Sequence, residues 1–246
     1  MKKKLSESIL ENVKTVIYAL IIALIIRSFL FQPFYIPSSS MEPSLLIGDR
    51  IFVSKFEYGY SGHSLPFSPH ISNKRIFNKK PNYGDLVVFK TPSDNRTDYI
   101  KRLIGLPGDT IQLINGKLFL NEKEVLRKKV SKEFKIRCGV SRPKVRAFEE
   151  TLPNGKKYTA VYNINGTMLN TDKYIVPSDH FFLLGDNRDC SRDSRFLSSV
   201  GYVPNINLVG KAKIIFFSND TLNGSIFYIW NLKNSFRLSR LFKVIK

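Results

Sequence analysis

The chain of 246 residues is long enough to bury a sizeable core, and 43% apolar against 24% charged residues is the composition of a globular protein, not a disordered one. With 39 Lys and Arg against 20 Asp and Glu, the formal net charge of +19 leaves nucleic acid, anionic lipid and acidic substrates as partners by charge. Two cysteines, Cys138 and Cys190, are too few for a disulfide framework, and no CxxC or Cys/His metal spacing accompanies them.

Lys2, Lys3, Lys4 and Lys14 precede the run TVIYALIIALIIRSFLF, Thr15 to Phe31, whose only charge is Arg27. At a helical rise of about 1.5 Å per residue the run spans roughly 26 Å, just enough to cross a bilayer. Arg27 lies one turn from its end, where its head group can reach the interface. By the positive-inside rule, residues 1–14 stay cytoplasmic, 15–31 form a single-pass anchor, and 33–246 lie on the far side. A cleavable signal peptide competes with this reading, since Ser38 and Ser40 could serve as small residues at −3 and −1. The run is longer than an ordinary signal core and no A-x-A follows, so an uncleaved anchor is expected.

The turn-rich serine cluster IPSSSMEPSLLIGDR, 36–50, comes next. It reads either as a hinge below an anchor or as a serine nucleophile held beside a membrane. Short alternating runs follow: RIFVSKF (50–56), DLVVFK (85–90), DYIKRLI (98–104), DTIQLING (109–116), KLFLN (117–121), KYTAVYNI (157–164), DHFFLLGD (179–186) and LVGKAKIIFF (208–217). Their period near two, with Asn115-Gly116 between two of them, predicts antiparallel hairpins and a mainly β domain. Residues 60–82 read as a surface loop, and about 122–175 as a subdomain inserted into the main sheet. The C-terminal FYIWNLKNSFRLSRLFKVIK mixes aromatic and basic residues, as a membrane-surface segment or a packed helix would.

A serine hydroxyl needs a base before it can attack. His63 and His70 sit in the polar excursion and His180 opens an apolar strand, so ordinary surface or strand-end roles suit all three. A lysine can serve if desolvation brings its pKa toward neutrality. Lys101 in DYIKRLIGLPGD shares a strand face with Tyr99 and Leu103, and Arg102 shares the other with Ile100 and Ile104. If the Tyr99 face is the core face, Lys101 is buried among apolar groups; a Lys–Arg pair on an edge strand is the alternative. Ser141-Arg-Pro-Lys144 matches S-x-x-K, but Pro143 disrupts the helical turn that motif needs, and SDN and KTG partners are lacking. The run GDNRDCSRDSR, 185–195, is either a solvated turn or a cross-linked loop in which Asp193 and Arg195 can pair.

In order along the chain, PSSSMEPSLLIGD, GDLVVFK, DYIKRLIGLPGD, GDNRDCSRDSR and VPNINLVGKA resemble the sequence boxes of bacterial type I signal peptidases, membrane-bound serine peptidases that remove signal peptides from exported preproteins. The resemblance implies a complex antiparallel β-sheet catalytic domain behind the anchor, a Ser40 nucleophile and a neutral Lys101 general base. It implies an oxyanion hole from the Ser40 N–H and the Ser38 hydroxyl, with Ser191 orienting the lysine amine. Tyr99, Phe89, Leu183 and Leu184 are implied to enclose that amine, and Asp186, Arg188, Asp193 and Arg195 to support the site. Pockets for small residues at substrate positions −1 and −3 would come from Ile36, Met41, Leu45, Ile51, Val88, Tyr99 and Ile100. No metal or organic cofactor is implied. The implied partners are signal peptides, the phospholipid bilayer and the secretion translocon, not nucleic acid, and the implied location is the outer face of the cytoplasmic (inner) membrane. Three departures stand out: Ser39 replaces a usual glycine, Cys190 a usual asparagine, and Leu183 and Leu184 residues that are often methionine. A self-cleaving Ser/Lys repressor would carry a DNA-binding element instead of an anchor, and a basic membrane-tethered binding protein would need no nucleophile.

Overall fold

The computed structural model of the chain describes residues 2–66, 68, 69, 72, 74–166, 168–220 and 236–245. His70, and residues 227–235 of the aromatic and basic C-terminal segment, lie outside the described residues. Helix α1, Lys2–Ile25, passes into a π-helical turn at Ile26–Leu30. The stretch Leu10–Leu30 is long and apolar enough to cross a membrane, with mean hydropathy 2.1, and only 6% of it is buried against protein. A helix apolar all round and uncovered by protein needs an apolar solvent.

The strands are β1 Phe31–Tyr35, β2 Asp49–Ser54, β3 Leu86–Lys90, β4 Asp98–Gly105, β5 Thr110–Ile114, β6 Lys117–Leu120, β7 Lys123–Glu124, β8 Leu126–Val130, β9 Val145–Thr151, β10 Lys157–Asn163, β11 Tyr174–Ile175, β12 His180–Leu184, β13 Val203–Pro204, β14 Leu208–Ser218 and β15 Lys243–Val244. The expected mainly β architecture behind one N-terminal apolar helix is what the chain adopts. The large sheet runs β1-β2-β14-β3-β4-β12-β13 with β15 also on β14; β10-β9-β8 and β11-β5-β6-β7 form two smaller sheets. Phe31, read from sequence as the end of the anchor, instead opens β1. Pro33 lacks an N–H to give a second neighbour, which suits its place in a strand at the sheet edge. Asn115 and Gly116, with φ of 50° and 69°, close the β5–β6 hairpin opposite Ile114↔Lys117, as the NG signal predicts.

Consecutive residues of β3 separate two apolar clusters. Leu86 and Val88 pack with Ile36, Leu45, Ile51 and Val209, while Val87 and Phe89 pack with Leu103, Leu183 and Leu208. That is the alternation of a strand buried on both faces. A third cluster, holding Ile104, Leu118, Phe182 and Leu184, joins the small sheets to the large one. Of the C-terminal segment, the described part forms no α-helix: a 3-10 turn at Leu238–Arg240 precedes β15 and brings the Arg240 guanidinium to Asp49, Nη2 to Oδ2 at 2.5 Å.

Candidate active site

Ser38 is extended, and the chain then tightens into a 3-10 turn at Ser39–Met41. Ser39 is not among the residues with left-handed φ, so serine in place of glycine brings no backbone strain there. The turn is held from the 185–195 run. Asn187 N–H donates to Ser40 O at 3.1 Å, and its Nδ2 donates to Ser39 O at 3.1 Å and to Arg137 O at 2.9 Å. Gly185 is packed so closely that a Cβ on it would lie 2.2 Å from Ser191 Oγ and 2.6 Å from Ser40 O.

Strand β4 carries Lys101 into this turn. It pairs with β3 along Asp98–Arg102 and with β12 only from Arg102 onward, so one backbone edge is open at Lys101, and it is the burial of the side chain that excludes a solvated Lys–Arg pair. Lys101 is 4% exposed. Its Nζ hydrogen-bonds Ser40 Oγ at 2.7 Å and donates to Ile100 O at 3.0 Å. The Tyr99 ring lies 5.3 Å below the amine, and Tyr99, Phe89, Leu103 and Leu183 share one apolar cluster. Burial pushes the amine's pKa down from 10.5 to about 8; the Asp193 and Asp186 carboxylates oppose that, and the Arg195 cation adds to it. Ser38 Oγ stands 3.3 Å from Ser40 Oγ.

Behind the site lie fully buried ion pairs. Arg102 grips Asp186 with two bonds, Nε–Oδ1 at 2.7 Å and Nη2–Oδ2 at 2.8 Å, and Ser44 Oγ donates to the same carboxylate at 2.5 Å. Arg195 grips Asp193 likewise, at 2.8 and 2.9 Å, realising the pairing that their sequence spacing allows. Arg188 reaches from the 185–195 run to Glu150 on β9, Nη2–Oε2 at 2.6 Å, and the Tyr158 and Tyr162 hydroxyls donate to that carboxylate at 2.5 Å each. Although burial opposes ionisation, the Arg188 cation and the two hydroxyls hold Glu150 below its ordinary pKa. Cys138 and Cys190 form a disulfide across a sequence separation of 52, tying the 131–144 segment to the same run.

A cleft of about 420 Å³ opens over Ser40 and Lys101. One wall is chain 34–38 and the other chain 97–101, and each presents an open backbone edge: β1 is the outer strand of its sheet, and β12 covers β4 only beyond Lys101. Of the expected pocket residues, Ile36, Met41, Ile51, Val88, Tyr99 and Ile100 line the cleft. Leu45 does not; it is fully buried in the core beneath. Leu184 is likewise not with the amine: neighbours on a strand face opposite ways, so Leu183 joins the Tyr99 cluster and Leu184 packs with Ile104 and Phe182. Ser191 is buried beside the site, but its hydroxyl hydrogen-bonds neither Lys101, whose two partners are named above, nor any other described residue; although burial opposes ionisation, the Arg195 cation holds the neighbouring Asp193 carboxyl below its ordinary pKa. Sequence reasoning missed Phe34, Thr97, Asp98, Cys190 and Arg192 on the cleft walls, and Asn187, Arg102 and Glu150 behind it. Among the described residues no group of three or more His, Cys, Asp or Glu is arranged to hold a metal ion.

Residues 9–217 match the sequence model of the family described as "Signal peptidase, peptidase S26". Signal peptidase I of Rickettsia typhi is 40% identical, over 98% of this chain and 95% of its own length. Signal peptidase I of Rickettsia prowazekii is 41% identical, over 92% of this chain and 90% of its own. A crystal structure of a signal peptidase I from Enterococcus faecalis V583 overlaps 54% of this chain and 97% of its own at 27% identity, with a TM-score of 0.31, too low for comparison element by element. On the sequence matches, which run nearly end to end, the chain belongs to the signal peptidase family, peptidase S26.

Proposed function

We propose that this hydrolase cleaves signal peptides from exported preproteins with Ser40 as nucleophile and Lys101 as general base. The observation that carries the reading is the 2.7 Å hydrogen bond between Ser40 Oγ and an amine buried among apolar side chains. Such an amine is largely free of its proton at mildly alkaline pH, and a neutral nitrogen can accept the hydroxyl proton. Ser40 Oγ attacks the scissile carbonyl carbon as its proton passes to Lys101 Nζ. The oxyanion is met by the Ser40 N–H and the Ser38 hydroxyl. Lys101 then gives that proton to the leaving amine as the C–N bond breaks; Lys101 Nζ, neutral again, deprotonates a water that attacks the acyl-enzyme, and returns the proton to Ser40 Oγ as the ester bond breaks. Ser191, whose buried hydroxyl has no partner among the described residues and packs against Gly185 beside Ser40, is the group that orients the lysine amine.

The substrate enters as an extended strand between the open edges of β1 and β4, the β-augmentation mode of peptide recognition. The apolar floor of Ile36, Ile51, Val88 and Ile100 suits small residues at −1 and −3. Residues 1–14 are cytoplasmic, 15–30 cross the cytoplasmic membrane, and the chain from β1 onward works on its outer face beside the translocon, with 122–175 as an inserted subdomain. The Cys138–Cys190 disulfide supports that side of the membrane, because such bonds persist in oxidising compartments.

The test is incubation of detergent-solubilised protein with a purified preprotein, followed by N-terminal sequencing of the product. Wild type should release the mature chain after a small residue, and Ser40→Ala should release none while melting at a similar temperature. Cleavage by Ser40→Ala would end this reading.

A further inference from the structure

A second cavity, of about 230 Å³, lies where the anchor meets the domain, between Arg27 of the π-helical turn, the 63–68 segment and the β3–β4 hairpin. It shares Phe34 and Asp98 with the catalytic cleft. Three of its lining side chains are cations: Arg27, Lys90 and Arg96. Lys90 is paired with Asp98 at 2.9 Å, the one carboxylate among the described lining residues. The guanidinium groups of Arg27 and Arg96 have no hydrogen bond or carboxylate partner among the described residues. A fourth cation, Lys55, is buried close by, its amine donating to the Ser64 carbonyl. Burial, then the Arg27 charge, brings its pKa down to about 8, with Lys90 adding to the effect and Asp98 opposing it.

Like charges gathered around a concave site repel one another, and the arrangement is relieved by an anion between them. Arg27 belongs to the last turn of Leu10–Leu30, so that anion would sit at headgroup depth. The other side of Leu65 is an apolar cavity of about 180 Å³ bounded by Phe29, Tyr60 and Ile76, against the same end of the anchor. A phosphate beside a hydrocarbon surface is the pattern of a phospholipid.

We propose that the cavity between Arg27 and Arg96 binds the phosphate of an anionic phospholipid, docking the domain on the bilayer with the catalytic cleft alongside. The proposal rests on the reading of Leu10–Leu30 as a membrane anchor. The bound headgroup neutralises Arg27 and Arg96 and fixes the β3–β4 hairpin, whose Asp98 also walls the cleft.

Delipidated full-length protein in detergent is titrated with short-chain phosphatidylglycerol, short-chain phosphatidylcholine and inorganic phosphate, and its flotation with phosphatidylcholine vesicles is scored in parallel. Wild type should bind phosphatidylglycerol saturably and in preference to the other two. The Arg27→Gln/Arg96→Gln double variant should bind it about thirtyfold more weakly, the loss of two lysine- or arginine-type lipid contacts, while floating with vesicles and cleaving a soluble preprotein as wild type does. Lys128→Gln/Lys129→Gln, which removes equal charge from exposed positions elsewhere, should leave the affinity unchanged. Equal binding of the two lipids, an unaffected Arg27/Arg96 variant, or an equal loss in the Lys128/Lys129 variant would overturn the site. Inorganic phosphate binding as tightly as phosphatidylglycerol would replace the lipid with a soluble phosphate. Wild type that fails to float would overturn the anchor reading itself, and the proposal with it.

Discussion

Replacing Lys101 with methionine keeps a long unbranched side chain in the Tyr99 cluster and removes the ionisable amine. Burial lowers that amine's pKa from 10.5 to about 8, and at roughly 1.4 kcal/mol per pH unit the charged form costs the fold about 3 kcal/mol at neutral pH. The lost hydrogen bond to Ser40 removes about 1 kcal/mol of stabilisation, so Lys101→Met should be about 2 kcal/mol more stable than wild type at pH 7. The sign follows from proton linkage. Below pH 8 both folded and unfolded chains are protonated and the folded state carries the full cost. Between about 8 and 10.5 the unfolded chain binds more protons, and wild-type stability rises with pH. Above 10.5 the cost is gone and only the hydrogen bond remains. Thermal unfolding in detergent should therefore put Lys101→Met about 4–8 °C above wild type at pH 7, with the gap closing by pH 10 and reversing beyond it. A variant less stable than wild type at pH 7, or a gap that ignores pH, would mean that the buried amine carries no such cost.

Gly185→Ala should leave secondary structure in place yet abolish cleavage, since the new methyl would press on Ser191 Oγ at 2.2 Å and on the Ser40 carbonyl at 2.6 Å; circular dichroism and turnover on one sample check both halves. Glu150→Gln strands the fully buried Arg188 guanidinium and should cost about 3–5 kcal/mol in chemical denaturation. Cys138→Ser with Cys190→Ser frees a loop whose closure is worth about 4 kcal/mol in the chain-entropy account, and denaturation of the double variant should read a loss of up to that size.

The strands that pack on both faces of the large sheet were legible because their residues are apolar or alternate; LVVFK and HFFLL announce β3 and β12 without help. Lys101 was legible as an anomaly, a cation within such a strand, although only the folded chain shows the side chain to be buried, since β4 is paired on both sides only from Arg102 onward. The partner Ser40 is 61 residues away, and no local pattern joins the two. Strand β8, Leu126–Val130, shows no alternation because most of it is exposed, and it is stabilised by pairing with β9 instead. In β9, Glu150 looks like any surface carboxylate; its burial follows from Arg188, 38 residues on. The disulfide was invisible for the same reason, since two cysteines 52 residues apart carry no spacing rule. Expecting both Leu183 and Leu184 beside the amine overlooked strand alternation, which the sequence alone could have supplied.

The proposed catalysis requires an amine that is neutral because protein has replaced its water, and the pH dependence of kcat/KM on a preprotein substrate reads that protonation state. Activity should rise with pH through a single step near 8, the pKa of the buried Lys101 amine, as the base loses its proton. A step near 10.5, or activity that persists in Lys101→Met, would contradict it.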